Sequence, residues 1–197
     1  MSKILVIDTA TKYIYLSLVI NGVEKDYVYQ EGINNHSVTI IPLLDEMLKK
    51  ENLTLKEVDE IIVGIGPGSY TGVRIGVTVA KMIGYLNSIS VKTVSSLALI
   101  ASTSKEKNII PFIDARRGNA FMAHFNNKDN MLIRIEEDCL ENIEQYKSAH
   151  DFEFDFIEGG KPDISKIINS KLLQSVENVH DLKPNYLRIT EAERNKR

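Results

Sequence analysis

Ile4-Leu5-Val6-Ile7-Asp8-Thr9-Ala10-Thr11 and, further along, Ile109-Ile110-Pro111-Phe112-Ile113-Asp114-Ala115-Arg116-Arg117-Gly118 are two versions of one unit. Each is an apolar run that ends in Ile-Asp, followed by a short polar turn and a second strand pattern, at Tyr13–Ile20 and from Asn119 to Phe125. After the first copy, Asn21-Gly22 marks a tight hairpin into a third strand at 23–30. After the second copy, Met131 opens a third strand as well. An ordering of elements that recurs in this way predicts two similar lobes. The polar run Ser102-Thr103-Ser104-Lys105-Glu106-Lys107-Asn108 suits the linker, giving lobes at 1–103 and 104–197 with the second one smaller.

Between the copies lies Gly64-Ile65-Gly66-Pro67-Gly68-Ser69-Tyr70-Thr71-Gly72-Val73-Arg74-Ile75-Gly76. It reads as the end of a strand at 60–65, a sharp turn, and a helix over 71–87. Ser69 or Thr71 suits the helix cap, which leaves amide N–H groups free at a positive dipole end. The phosphate-loop lysine is missing, however, and so is the dinucleotide pattern of glycines. Gly72, Gly76, Ala80 and Gly84 recur every four residues along one side of the helix. Glycine costs a helix about 1 kcal/mol against alanine, so something must approach that side closely. Two readings stand: packing on the chain's own sheet, or contact with another protein chain. Arg74 lies in the first turn, where the dipole opposes a cation, which points to a carboxylate partner or to a solvated arginine. An earlier helix is expected at His36–Lys50, with Ile40, Ile41, Leu44 and Leu48 at helical spacing and His36 at its entry.

A net charge of −3 over 197 residues, with an isoelectric point near 5.9, argues against an independent nucleic-acid binder. The closing residues carry Arg194, Lys196 and Arg197 against Glu191 and Glu193, a mildly basic tail. Cys139 stands alone, which excludes an internal disulfide and suits a reducing, cytoplasmic setting. It reads as a packing residue. No signal peptide and no membrane-spanning run is expected. His36, His124, His150 and His180 are scattered without a metal-ligand spacing, so no zinc site is expected. Ser69 has no histidine base to pair with, and no catalytic residue is assigned. Asp138, Glu141 and Glu144 read as an exposed helix face.

A strand–Asp–turn–strand unit opening each of two lobes is the layout of the actin-like ATPase fold, an α/β architecture in which each lobe is a mixed sheet flanked by helices. Nucleotide there sits between the lobes, which makes Asp8, Thr9, Thr11 and Asp114 candidates for a vestigial nucleotide cleft. The alternative is a pair of hairpins tied by aspartate hydrogen bonds. The first turn lacks the glycine that closest phosphate approach would need.

Together these residues resemble the bacterial TsaB (YeaZ) family. The resemblance runs from Ile4 to about Phe125, through Ile7-Asp8-Thr9-Ala10-Thr11, His36-Ser37, Pro42-Leu43-Leu44, the glycine loop with its helix, Ser95-Ser96-Leu97 and Ile113-Asp114-Ala115-Arg116-Arg117-Gly118. Pro184-Asn185-Tyr186-Leu187-Arg188 resembles the family's closing motif. The resemblance implies a part in making threonylcarbamoyladenosine on tRNA, as a degenerate, non-catalytic relative that pairs with the transferase TsaD. The ATPase TsaE joins the complex, tRNA is held through that complex, and the chain also pairs with itself. It further implies an interface on the helices at His36–Lys50 and 71–87, with His36, Gly72, Arg74, Gly76, Ala80 and Gly84 as its residues. No tightly bound cofactor is implied, with ATP or ADP entering only in the assembled complex. The competing expectation is a metal-independent, peptidase-like enzyme or an ATPase of the same fold.

Overall fold

In the computed structural model, which describes residues 2–32 and 36–187, two mixed sheets are stacked with helices between and outside them. The basic tail, Arg188 and the pair Asn34-Asn35 lie outside the described residues. β1 (Lys3–Asp8), β2 (Tyr13–Ile20) and β3 (Val23–Glu31) form an antiparallel meander, and β4 (Glu60–Gly64) and β5 (Ser90–Val94) add in parallel on the other side of β1. With β10 (Gln174–Val176) at the edge, the order is β10-β5-β4-β1-β2-β3. The second sheet repeats this plan: β6 (Asn108–Asp114) pairs antiparallel with β7 (Asn119–Lys128) and parallel with β9 (Asp155–Ile157), and β8 (Met131–Asn142) flanks β7. Its order, β8-β7-β6-β9, matches β3-β2-β1-β4, so the internal echo read from the two Ile-Asp units is a repeat of topology.

Alternation along the strands assigns the layers. Leu5, Ile7, Ile61 and Val63 face α1 (His36–Lys50) and α2 (Tyr70–Asn87), whose Ile40, Leu44, Val73, Val77 and Ile83 complete one core. Ile4, Val6 and Ile62 face the other way, toward α3 (Ser96–Ala101), α5 (Ile164–Ile168) and the inner side of the second sheet. Ala120 and Met122 point to the outer side of that sheet, under α4 (Ile143–Ser148). The hairpin at Asn21-Gly22 has both residues at positive φ, 52° and 78°, as a tight turn between right-twisted strands requires.

Two expectations need correction here. β8 runs on to Asn142, so Asp138 and Glu141 belong to a strand, and only Glu144 lies on a helix. Asp138 is no exposed face residue, since it accepts from Arg134 at 2.8 Å with 6% of its side chain accessible. The closing segment also returns to the first lobe, which a division at residue 103 assigns to the second. β10 pairs with β5, Leu182 joins the core under α2, and the Asn185 amide donates to the Ile65 carbonyl at 2.7 Å.

Candidate functional site

The turn after β1 and the glycine loop before α2 are locked together by hydrogen bonds. Ser69 N–H donates to the Ala10 carbonyl at 2.7 Å, and Gly68 must be a glycine because a Cβ there would stand 2.3 Å from the Ala10 oxygen. The Thr9 hydroxyl donates to the Gly72 carbonyl at 2.7 Å and accepts from the Gly76 N–H at 3.0 Å. Asp8 accepts from the Ser96 hydroxyl at 2.6 Å, and that hydroxyl accepts in turn from Gly66 N–H at 3.1 Å. Burial pushes the Asp8 carboxyl up to about 6 against the lowering effect of the Ser96 and Ala10 hydrogen bonds. α2 is capped by Ser69, which accepts from Gly72 N–H at 3.2 Å.

The small-residue side of α2 faces inward. A Cβ on Gly72 would stand 2.1 Å from the Thr9 carbonyl oxygen, one on Gly76 would stand 2.6 Å from the Thr9 hydroxyl, and one on Gly84 would stand 2.7 Å from a Val91 methyl. Ala80 is fully buried. Of the two readings of this strip, packing on the chain's own sheet is therefore the correct one, and Gly72, Gly76, Ala80 and Gly84 offer no surface to another chain. His36 is half-buried, with its ring folded back over Gly32. Arg74 is exposed, but its partners are two tyrosines instead of a carboxylate. Its Nε donates to the Tyr186 hydroxyl at 2.8 Å, and its guanidinium lies 4.5 Å from the centre of the Tyr70 ring, which stacks on Tyr186.

α1 and α2 do expose apolar side chains, beside charged ones such as Asp45, Glu46, Lys49 and Arg74. Val38 and Ile41 project from the start of α1, and Met82, Tyr85 and Leu86 from the second half of α2, with Val38 68% and Leu86 70% accessible. Ile41, which helical spacing groups with Ile40, Leu44 and Leu48, is 41% accessible, and the periodicity of the glycines does not point to the other four. The signal for them is a side of α2 carrying Arg74, Thr78, Met82, Tyr85 and Leu86, opposite the valines that enter the core.

Between the lobes lies a cleft of about 1080 Å³. Thr11 and Asp114 line it, together with Lys12, Arg116, Arg117 and Glu158. Asp8 and Thr9 do not line it, since their side chains are spent on Ser96 of α3 and on Gly72 and Gly76 of α2. Asp114 accepts from Arg116 N–H at 2.8 Å, and Thr11 accepts from Tyr13 N–H at 3.1 Å, so both also brace their own turns. Arg116 and Arg117 hold φ of 69° and 58°, a left-handed pair that non-glycine residues seldom adopt.

The thiol of Cys139 is pushed up to about 11 by burial and by the carboxylates of Glu141, Glu136 and Asp138. Such a group is inert at neutral pH and suits the packing role expected of it. The histidines are not all scattered. His124 and His150 converge on Glu136 at the outer side of the second sheet.

Two lobes with one repeated strand order, facing each other across a cleft, define an actin-like fold. Solved structures agree: YeaZ from Pseudomonas aeruginosa superposes with a TM-score of 0.79 at 19% identity, covering 95% of this chain and all of that one. A second Pseudomonas aeruginosa structure, described as similar to the peptidase YEAZ, gives 0.80 at 20% identity with the same coverage. Residues 28–189 match the family described as TsaD, tRNA N6-adenosine threonylcarbamoyltransferase. The protein named TsaB, a tRNA threonylcarbamoyladenosine biosynthesis protein of Bacillus subtilis, is 30% identical, with 96% of each chain covered. Its namesake in Haemophilus influenzae is 32% identical over 61% of this chain and 52% of that protein. The chain belongs to the TsaB (YeaZ) family. No helix among the described residues is long and apolar enough to cross a membrane.

Proposed function

We propose that this chain works in threonylcarbamoyladenosine formation on tRNA as a non-catalytic subunit, docking onto the transferase TsaD through the outer faces of α1 and α2. The observation that carries this reading is the exposed apolar set Val38, Ile41, Met82 and Leu86 on the two helices that cover one side of the first sheet. Apolar side chains of this size, held on rigid helices, are what the desolvated centre of a protein interface needs. A second copy of the chain competes for the same faces, and TsaE joins in the ternary complex. Transfer RNA is held by the assembly, in keeping with an acidic chain, and the setting is the cytoplasm.

Catalysis is assigned to TsaD. Asp8, one of the two aspartates that the sequence offers to a nucleotide cleft, is buried under Ser96, and Thr9 is committed to α2 as both donor and acceptor. Nucleotide is therefore assigned to the assembled complex, with no tight site in this chain alone. The test is a calorimetric titration of the chain with TsaD, run beside an assay for ATP or peptide hydrolysis by the chain by itself. Saturable binding to TsaD without intrinsic turnover is expected. Failure to bind, or metal-independent turnover by the isolated chain, overturns the reading in favour of a free-standing enzyme.

A further inference from the structure

His124 on β7 and Glu136 on β8 are directly opposite each other in the strand register, with an irregularity on either side of His124. The turn that ends α4 brings His150 over the pair. One nitrogen of each histidine and one carboxylate oxygen of Glu136 all lie within 4.8 Å of one another.

The hydrogen bonds around this trio restrict what it can hold. The His150 Nδ1 stands 2.8 Å from the Tyr146 carbonyl, which can only accept, so Nδ1 carries the proton. In the neutral ring, the Nε2 lone pair then faces the Glu136 oxygens at 3.1 and 3.2 Å. Glu136 already accepts from the Tyr146 hydroxyl at 2.6 Å and has no proton to give back. Something positive must lie between the ring and the carboxylate. A proton on His150 would serve those two groups alone. It would leave His124, only 6% accessible, with an Nε2 that is buried and has no hydrogen-bond partner among the described residues. A cation shared by all three would supply the positive charge between His150 and Glu136 and engage the second imidazole as well.

We propose that His124, Glu136 and His150 form a binding site for a divalent transition-metal ion of the zinc class. Two imidazoles and one carboxylate are the ligands such borderline ions take, with a fourth position left to water on the exposed side of Glu136. The surroundings already orient the ligands: the Tyr146 carbonyl fixes the His150 tautomer, the Tyr146 hydroxyl steadies Glu136, and Phe152 stacks on the His124 ring at 4.9 Å. Tetrahedral ligand atoms sit about 3.3 Å apart around zinc, so side-chain rotations of about 1.5 Å close the site. None of the three residues lines the interlobe cleft. The ion's work is structural, pinning the turn after α4 and Phe152 onto the outer side of the second sheet.

The experiment uses the tag-free chain after chelator treatment, titrated with Zn²⁺ by calorimetry and with Co²⁺ by visible absorption, and melted with and without Zn²⁺. Expected are uptake of one equivalent, Co²⁺ bands of a low-coordinate nitrogen–oxygen site, and a higher melting temperature. His124→Asn should weaken binding at least about 100-fold, while a His36→Asn, His180→Asn double variant binds as the native chain does. Glu136→Gln, on an exposed side chain, gives the same reading if His124→Asn does not fold. Absence of saturable uptake, or equal uptake by His124→Asn or Glu136→Gln and the native chain, overturns the proposal.

Discussion

Thr9 is joined to Gly76 at 3.0 Å, its hydroxyl accepting the helix N–H while it donates to Gly72 one turn earlier. A single side chain thus fastens the turn after β1 to two successive turns of α2, and the helix can come that close only because both positions lack a Cβ.

Substitution at Gly76 should therefore damage the fold before it affects any partner. A Cβ there would stand 2.6 Å from the Thr9 hydroxyl, so Gly76→Ala is expected to cost about 1–3 kcal/mol. Gly76→Leu should leave little folded chain. Urea unfolding followed by circular dichroism measures this. A Gly76→Leu protein of native stability would mean that the helix can retreat from the sheet without loss.

Leu86 should behave in the opposite way. It is 70% accessible, so Leu86→Asp is expected to change stability by no more than about 0.5 kcal/mol. In the proposed assembly the new charge would be buried without a partner, and affinity for TsaD should fall at least about tenfold. Calorimetry on the same preparations gives both quantities. Unchanged affinity in Leu86→Asp would remove α2 from the interface.

Asp8 should make stability depend on pH in an unusual direction. Its carboxyl is raised to about 6 in the folded chain from 3.8, so the native state holds the proton more tightly than the unfolded one. The stabilisation from protonated Asp8 is complete below about pH 4 and is lost as pH rises through about 6, a contribution of up to about 3 kcal/mol. Asp8→Asn should flatten this part of the profile and keep the acceptor for Ser96. Denaturant midpoints between about pH 4 and pH 8 decide it, since an unchanged slope in Asp8→Asn would assign the effect to other groups.

What the sequence made legible was set by local chemistry. The Asn21-Gly22 hairpin, the Ser69 cap and the two Ile-Asp strand ends each have a short-range cause, and each is where it was expected. The direction of the Gly72–Gly84 strip has no such cause, because periodicity says that residues share a side but not which neighbour it meets. Val73 and Val77, adjacent to Gly72 and Gly76, carry the missing information, for both enter the core beneath α2. The second half of β8, Glu136-Glu137-Asp138, is a poor strand former alone and is held by pairing with β7. The His124, Glu136 and His150 trio depends on that register, which no spacing along the chain reveals.

Tyr186 ties the closing segment to the first lobe. Its ring stacks on Tyr70 at 5.2 Å, its hydroxyl accepts from Arg74, and Asn185 beside it bonds both to Ile65 of the glycine loop and to Asp138 of the second lobe. A segment that bridges both lobes at the mouth of the cleft restrains how far the cleft can open. Tyr186→Ala removes the stacking and the hydrogen bond together and should cost about 1–2 kcal/mol locally. Because the core beneath α2 does not include Tyr186, the loss should appear as faster hydrogen exchange in the glycine loop and the closing segment, with β1 and β4 unaffected. Tyr186→Phe keeps the stacking and should recover most of the protection. Slow exchange in Tyr186→Ala would show that Asn185 alone holds the segment in place.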